Sequence, residues 1–323
     1  MLARADSSKS AGVSAPAAAF PAWARAKNPP ESEAEAAFLA GAALSRLDAL
    51  VREDPPWAGV WRRRLALSAA AASVLRIGRS EDEAALRDAF HLRRAGDDPG
   101  PAGRRLLAWR ELVARSTGQW RSAIAVAAEA LSIPCDEALQ AAIEAAEACA
   151  AGPRLAPFAA ARAYQLARRA LTPGAGRNGA GEGELIAAWL ADSVLAQKLK
   201  WPFALPLLAT ALFSRARRRE SDLADGAEMT RVLFGYARAA AQACDLSAEL
   251  GRRAKKLHEV APKLRAKGAG TALGALLDDD SLSAATEIGG LSERGARRLF
   301  ERLVALGALR ELTGRATFRL YGL

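Results

Sequence analysis

Three cysteines and two histidines in 323 residues leave little material for metal or disulfide chemistry. Cys135, Cys149 and Cys244 are scattered, with no CxxC pair among them, which argues against a structural zinc site. Isolated thiols of this kind fit a reducing cytoplasm. Long hydrophobic runs are also missing. The longest uncharged apolar run, Trp201 to Ser214, is too short to span a bilayer and begins with Trp201-Pro202, so no membrane partner is expected. The first 30 residues hold no secretory signal, because Ala11 to Ala24 contains Pro16 and Pro21 and lacks a leucine-rich centre. No GxxxxGK[ST] phosphate loop occurs. Gly174-x-Gly176-x-x-Gly179 matches a dinucleotide fingerprint literally but follows a helix instead of a strand, and reads as linker. No cofactor is implied.

What the chain has is alanine and arginine. Alanine makes up about a quarter of it, and aromatic residues only 6%. This composition favours helices, because alanine loses no side-chain entropy in them. Hydrophobic residues at 51% and charged residues at 25% fit a folded globular protein. The formal charge of +10 suggests an acidic partner, nucleic acid first. Arginine greatly outnumbers lysine, and a GC-rich genome produces the same bias without any selection for binding.

Residues 1–30 are Ala, Ser and Pro with few large apolar side chains, and are expected to be a disordered tail. A helical domain then spans 31–267. Phe38, Leu39, Leu44, Leu47, Leu50 and Val51 recur at helical spacing in Glu33 to Val51. Asp54-Pro55-Pro56 stops that helix. A second helix runs from Trp57 to Ile77, and Ser80 with Glu83 reads as a capping box for a third through Leu92. Residues 96–103 form a loop by their turn chemistry, followed by a fourth helix carrying Leu106, Trp109 and Leu112. Further helices are expected at 119–132, 135–151, 155–171, 182–199, 203–219, 222–245 and 246–266. The six tryptophans from Trp57 to Trp201 read mostly as core.

After Gly270 the pattern changes to helix, helix, turn, helix and two short strands. Leu273, Leu276 and Leu277 mark the first helix, and Ser283 caps a short second one, Ala284 to Ile288. Gly289-Gly290 supplies the turn. Ser292 caps a third helix that runs to Leu306 and stops at Gly307. On it, Ala296, Leu299, Phe300, Leu303 and Leu306 share one face, with Arg294, Arg297, Arg298 and Arg302 largely on the other. That division suits major-groove recognition. Ala308 to Leu312 and Ala316 to Tyr321 flank a Thr313-Gly314-Arg315 turn and read as a hairpin wing. Its second strand is expected to put Phe318 and Leu320 on one face, and Thr317, Arg319 and Tyr321 on the other. Residues 271–323 are thus a winged helix–turn–helix domain, and Arg315 at the wing tip suits a minor groove or a phosphate.

The run Ala305-Leu306-Gly307-Ala308-Leu309-Arg310-Glu311-Leu312-Thr313-Gly314-Arg315 resembles the helix-to-wing junction of bacterial winged-helix proteins, especially the one that ends many Fic-domain proteins. The Fic enzyme itself is not implied, because neither His91 nor His258 is followed by the acidic residue and anion cradle of its loop. Residues 37–44, 54–59, 81–89 and 96–103 resemble an uncharacterised bacterial family, domain of unknown function 1403. That resemblance implies no activity.

The sequence therefore reads as all-α: a multi-helical domain, then a winged helix–turn–helix with a short β-hairpin wing. The expected function is a cytoplasmic, regulatory DNA-binding protein whose partner is double-stranded DNA, with homo-oligomerisation left open. Ser292, Arg294, Arg297, Arg298, Arg302, Thr313, Arg315 and Arg319 are the expected contacts. Arg252, Arg253, Lys255 and Lys256, in a basic run that continues through Lys263, Arg265 and Lys267, extend the phosphate surface. A second basic cluster is Arg215 to Arg219. Against this reading, residues 271–323 carry no net charge, although the balance from Ile288 onward is basic. Two alternatives stand beside it. One is an adaptor whose winged helix contacts protein. The other is a metal-dependent enzyme in the acidic segment 81–98, centred on Asp88, His91 and Asp97. There Asp88 and His91 share a helix face, although Glu81 to Glu83 also suit the first turn of a helix.

Overall fold

Alanine-rich stretches become helices in the computed structural model of the chain, most with one apolar face, while residues 185–196 are buried on every side. The structure describes residues 20–25, 28–93, 96–172, 180–213, 225–264, 268–315 and 317–323. The Arg215 to Arg219 cluster, Arg265, Lys267 and the Gly174 to Gly179 fingerprint lie outside the described residues.

Twelve α-helices are seen among the described residues. The first four are α1 (Glu33–Glu53), α2 (Ala58–Arg76), α3 (Glu83–His91) and α4 (Gly100–Ala114). The next four are α5 (Trp120–Ala130), α6 (Glu137–Ala151), α7 (Ala156–Leu171) and α8 (Ala180–Leu199). The last four are α9 (Leu208–Leu212), α10 (Asp225–Val260), α11 (Ala269–Asp278) and α12 (Glu293–Ala305). Short polar side chains start several of them. Ser32 accepts from the Glu35 N–H, Asp136 from Leu139 and Ser292 from Gly295, each replacing a hydrogen bond the first turn lacks. The cap of α3 is Asp82, which accepts from Ala85, and not Ser80 as expected. Pro101 stands in the first turn of α4, so the helix begins inside the expected loop.

The expected helices 222–245 and 246–266 are one. No glycine or proline interrupts residues 236–250, and α10 runs unbroken for 36 residues. It packs lengthwise on α1, while α6, α7 and α8 are neighbours and α2 lies against α4. Of the expected 203–219 helix, only Leu208–Leu212 is helical among the described residues. Asp192 of α8 explains its start, accepting from the N–H groups of Leu207 and Leu208 at 2.9 and 3.2 Å. Within the segment expected to be disordered, residues 22–24 form a 3-10 turn, and Phe20 and Ala24 are buried. Trp61, Trp109 and Trp189 are fully buried, as core residues should be.

Three short strands, β1 (Leu282–Ser283), β2 (Arg310–Glu311) and β3 (Leu320–Gly322), form an antiparallel sheet in the order β1-β3-β2. Leu282 faces Tyr321, and Arg310 faces Gly322. Two expectations fail here. Residues 284–287 form a turn instead of a helix. Ser283 caps only that turn, its Oγ accepting from Ala285 and its carbonyl from Thr286. The alternation in the last strand also fails, since Leu320, Tyr321, Gly322 and Leu323 are all buried. Tyr321 lies 5.0 Å from Phe300 of α12, the two rings tilted, and a Cβ on Gly322 would meet the Asp280 carbonyl and the Arg64 guanidinium of α2. Phe318, expected on the same face as the buried Leu320, is 74% exposed at φ +55°.

Candidate nucleic-acid interface

The apolar face of α12 faces the sheet, burying Ala296, Leu299, Phe300 and Leu303. Its other face lies in solvent. Arg294, Arg298 and Arg302, four residues apart, form one exposed stripe, as expected of a helix. None of the three forms an ion pair among the described residues. Arg297 is exposed too but pairs with Glu293 at 2.8 Å. Lys256 of α10 lies at the C-terminal end of this helix, where a Cβ on Gly307 would stand 2.8 Å from its Nζ. Arg252, Lys255 and Lys256 are exposed, and Arg253 pairs with Glu249. Lys256 therefore brings α10 against the C-terminal end of α12. Arg310 of β2 is a further exposed cation that the sequence reading left out.

The hairpin residues are arranged differently. Arg315 pairs at 2.5 Å with Asp88 of α3. Arg319 donates to the Arg315 carbonyl at 2.9 Å and lies 3.9 Å from Glu301. Thr313 donates both its N–H and its hydroxyl to Glu311. Burial works to raise the Glu311 carboxyl, but Thr313 and the backbone N–H groups of Thr313 and Gly314 hold it below its ordinary value. Ser292 is consumed as the cap of α12.

The histidine of the metal alternative also finds other partners. Its ligand atom lies within 4.8 Å of Asp279 and Asp280, and Asp88 and Asp97 are not part of that cluster. Two guanidinium groups already occupy the carboxylates. Arg110 of α4 forks onto Asp279 at 2.8 and 3.0 Å and reaches Asp280 at 2.9 Å. Arg87 of α3 donates to Asp280 at 3.0 Å. Phe90 lies beneath Arg110, 4.4 Å from ring centre to guanidinium. Burial alone would favour a neutral Asp280, but His91 and Arg110 beside it hold its carboxyl well below the usual range. The charges here match without an ion: this is a socket that binds residues 279–280 to α3 and α4. Arg64 of α2 completes it, donating to the Leu323 backbone oxygen at 2.8 Å. Nothing local in the sequence marked Asp279 and Asp280 as partners of these arginines.

The sequence pattern of a family described as protein of unknown function, DUF1403, matches residues 9–323. The chain belongs to the DUF1403 family. No curated protein matches it. The DUF1403 pattern covers the helical body and the C-terminal sheet alike, so the socket and the basic stripe both lie inside the family's span. Among the described residues, no helix is long and apolar enough to cross a membrane.

Proposed function

We propose that residues 271–323 form a winged helix–turn–helix that binds double-stranded DNA, and that the protein is a cytoplasmic regulator. One observation carries this reading: Arg294, Arg298 and Arg302 make an exposed stripe with no carboxylate partner among the described residues, on a helix whose other face seals a three-stranded sheet. Side chains so placed suit phosphates or guanine edges in a major groove. The strand order β1-β3-β2, with α12 between β1 and β2, supports the winged-helix reading. The turn at 284–287 departs from it, since a helix is usual there. Lys256 and its neighbours extend the basic surface along α10. Three free cysteines are consistent with a reducing compartment.

The test is fluorescence anisotropy with random duplex DNA across a salt titration, comparing the natural chain with R294A/R298A/R302A. Removing residues 268–323 would take Asp279 and Asp280 from Arg87 and Arg110 and Leu323 from Arg64, so substitution is the cleaner comparison. Loss of three phosphate contacts lowers the slope of log K against log salt by about 2.7. Equal slopes in both proteins would remove α12 from the interface. One observation favours the adaptor reading instead: Phe318 is 74% exposed beside the hairpin. Binding to a protein partner that is insensitive to salt and lost in F318A would select it.

A further inference from the structure

A cleft of about 620 Å³ opens between α2, residues 206–210, α10 and residues 80–83 at the start of α3. That volume is in the range of small-molecule sites. Leu75, Leu207 and Leu246 are among its apolar lining, and Glu81, Asp82 and Glu83 form one rim. Among the described residues, no lysine or arginine lines it. The partial positive charge of a helix start is only about half a unit, Arg79 pairs with Glu81, and Arg87, 3.8 Å from Glu83, is shared with Asp280. Three carboxylates therefore leave this rim negative.

We propose that the cleft binds a small organic ammonium ion, its apolar body on the leucines and its charge against the 81–83 rim. The same rim connects to the C-terminal unit. Glu83 accepts from Ser68 through Oε1 at 2.6 Å, while its Oε2 lies 3.8 Å from Arg87. Arg87 is one of the two arginines that grip Asp280. An ammonium ion at Glu83 competes with Arg87 for that carboxylate, so occupancy of the cleft alters the hold on residues 279–283 and on the strands beyond. The proposal is independent of whether the C-terminal unit binds nucleic acid.

Calorimetry with phenethylammonium as probe tests the site. For a ligand of nine heavy atoms the expected Kd is about 1 mM. Binding is expected to be saturable and one to one, at least tenfold weaker for 2-phenylethanol, and absent for 3-phenylpropionate. Leu246→Trp fills the cleft and should abolish binding while the helical circular dichroism and melting temperature persist. Glu81→Gln with Glu83→Gln should weaken it at least tenfold. Hydrogen exchange at 279–283 and 320–323 is expected to change with the probe in the natural chain and not in L246W. Equal affinity for the amine and the alcohol, binding retained in folded L246W, or no saturable binding at about ten times the expected Kd would each overturn the proposal. Unchanged exchange at saturation would overturn the coupling through Arg87.

Discussion

Arg87 donates its Nε–H to Asp280 Oδ2 at 3.0 Å, joining α3 to a residue 193 positions later in the chain. Their side chains are 7% and 2% exposed. A buried pair of this kind adds little net stability over an apolar pair, but breaking it leaves the partner charge stranded. Here one aspartate answers two arginines, Arg87 and Arg110.

Asp280→Asn keeps the size of the side chain and removes its charge. The expected loss is about 3–5 kcal/mol of folding stability, read by urea unfolding at neutral pH. The pH dependence has a definite sign. Because the folded carboxyl is held below its ordinary value, its contribution is complete above about pH 4 and fades as pH falls through the folded value. The gap between natural and variant chains should therefore narrow on acidification below pH 4. A gap that stays constant would mean that the charge of Asp280 is not what stabilises the socket.

Asp192 should behave in the opposite way. It is fully buried, and burial pushes its carboxyl well above the usual range. A folded value above the unfolded one gives stability that is present below about pH 4 and lost as pH rises through the folded value. Asp192→Asn retains an oxygen for the N–H groups of Leu207 and Leu208 and has no charge to bury. Relative to the natural chain, this variant should gain stability as pH rises, by about 1.4 kcal/mol for each unit by which the folded value is raised. Thermal unfolding between pH 4 and pH 8 measures it, and parallel curves would contradict it.

The contrast between these aspartates shows what could be read from the sequence. Helices with a regular apolar stripe were legible, as at α1, because such a stripe acts within a few residues. Ser292 and the arginine face of α12 were legible for the same reason. The two-residue strand β1 was not, because two residues carry no period. The alternation expected from Phe318 to Tyr321 failed, because it assumes one wet face, whereas residues 320–323 are all buried and Phe318 is exposed. The socket was invisible: Asp279 and Asp280 look like a solvated acidic turn until the fold brings Arg87, His91 and Arg110 to them.

Two glycines in helices should respond oppositely to alanine. At Gly59 of α2 an added Cβ would stand 2.6 Å from the Asp278 Cα, so α11 would have to move away. Gly59→Ala should cost about 1–3 kcal/mol. At Gly41 of α1 nothing lies within 4 Å of the same atom. Gly41→Ala should stabilise by about 0.5–1 kcal/mol, since alanine loses less backbone freedom on folding. Melting temperatures of the two variants should bracket the natural chain, and two shifts of the same sign would contradict the close approach of α2 to α11.

Arg298 and Arg315 separate the helix from the hairpin in the DNA-binding reading. Arg298 has no ion-pair partner among the described residues, whereas Arg315 is tied to Asp88 at 2.5 Å. A guanidinium already paired releases fewer counterions when it meets a phosphate. Arg298→Ala should therefore weaken binding and lower the salt slope by about 0.9, while Arg315→Ala changes the slope less. Asp88→Asn frees Arg315, and should strengthen binding and steepen the slope by up to about 0.9, an increase that Arg315→Ala in the same chain abolishes. The readout is anisotropy on one duplex at several salt concentrations. A slope indifferent to Asp88→Asn would leave Arg315 as a structural tie between the hairpin and α3, and would confine DNA contact to α12 and the end of α10.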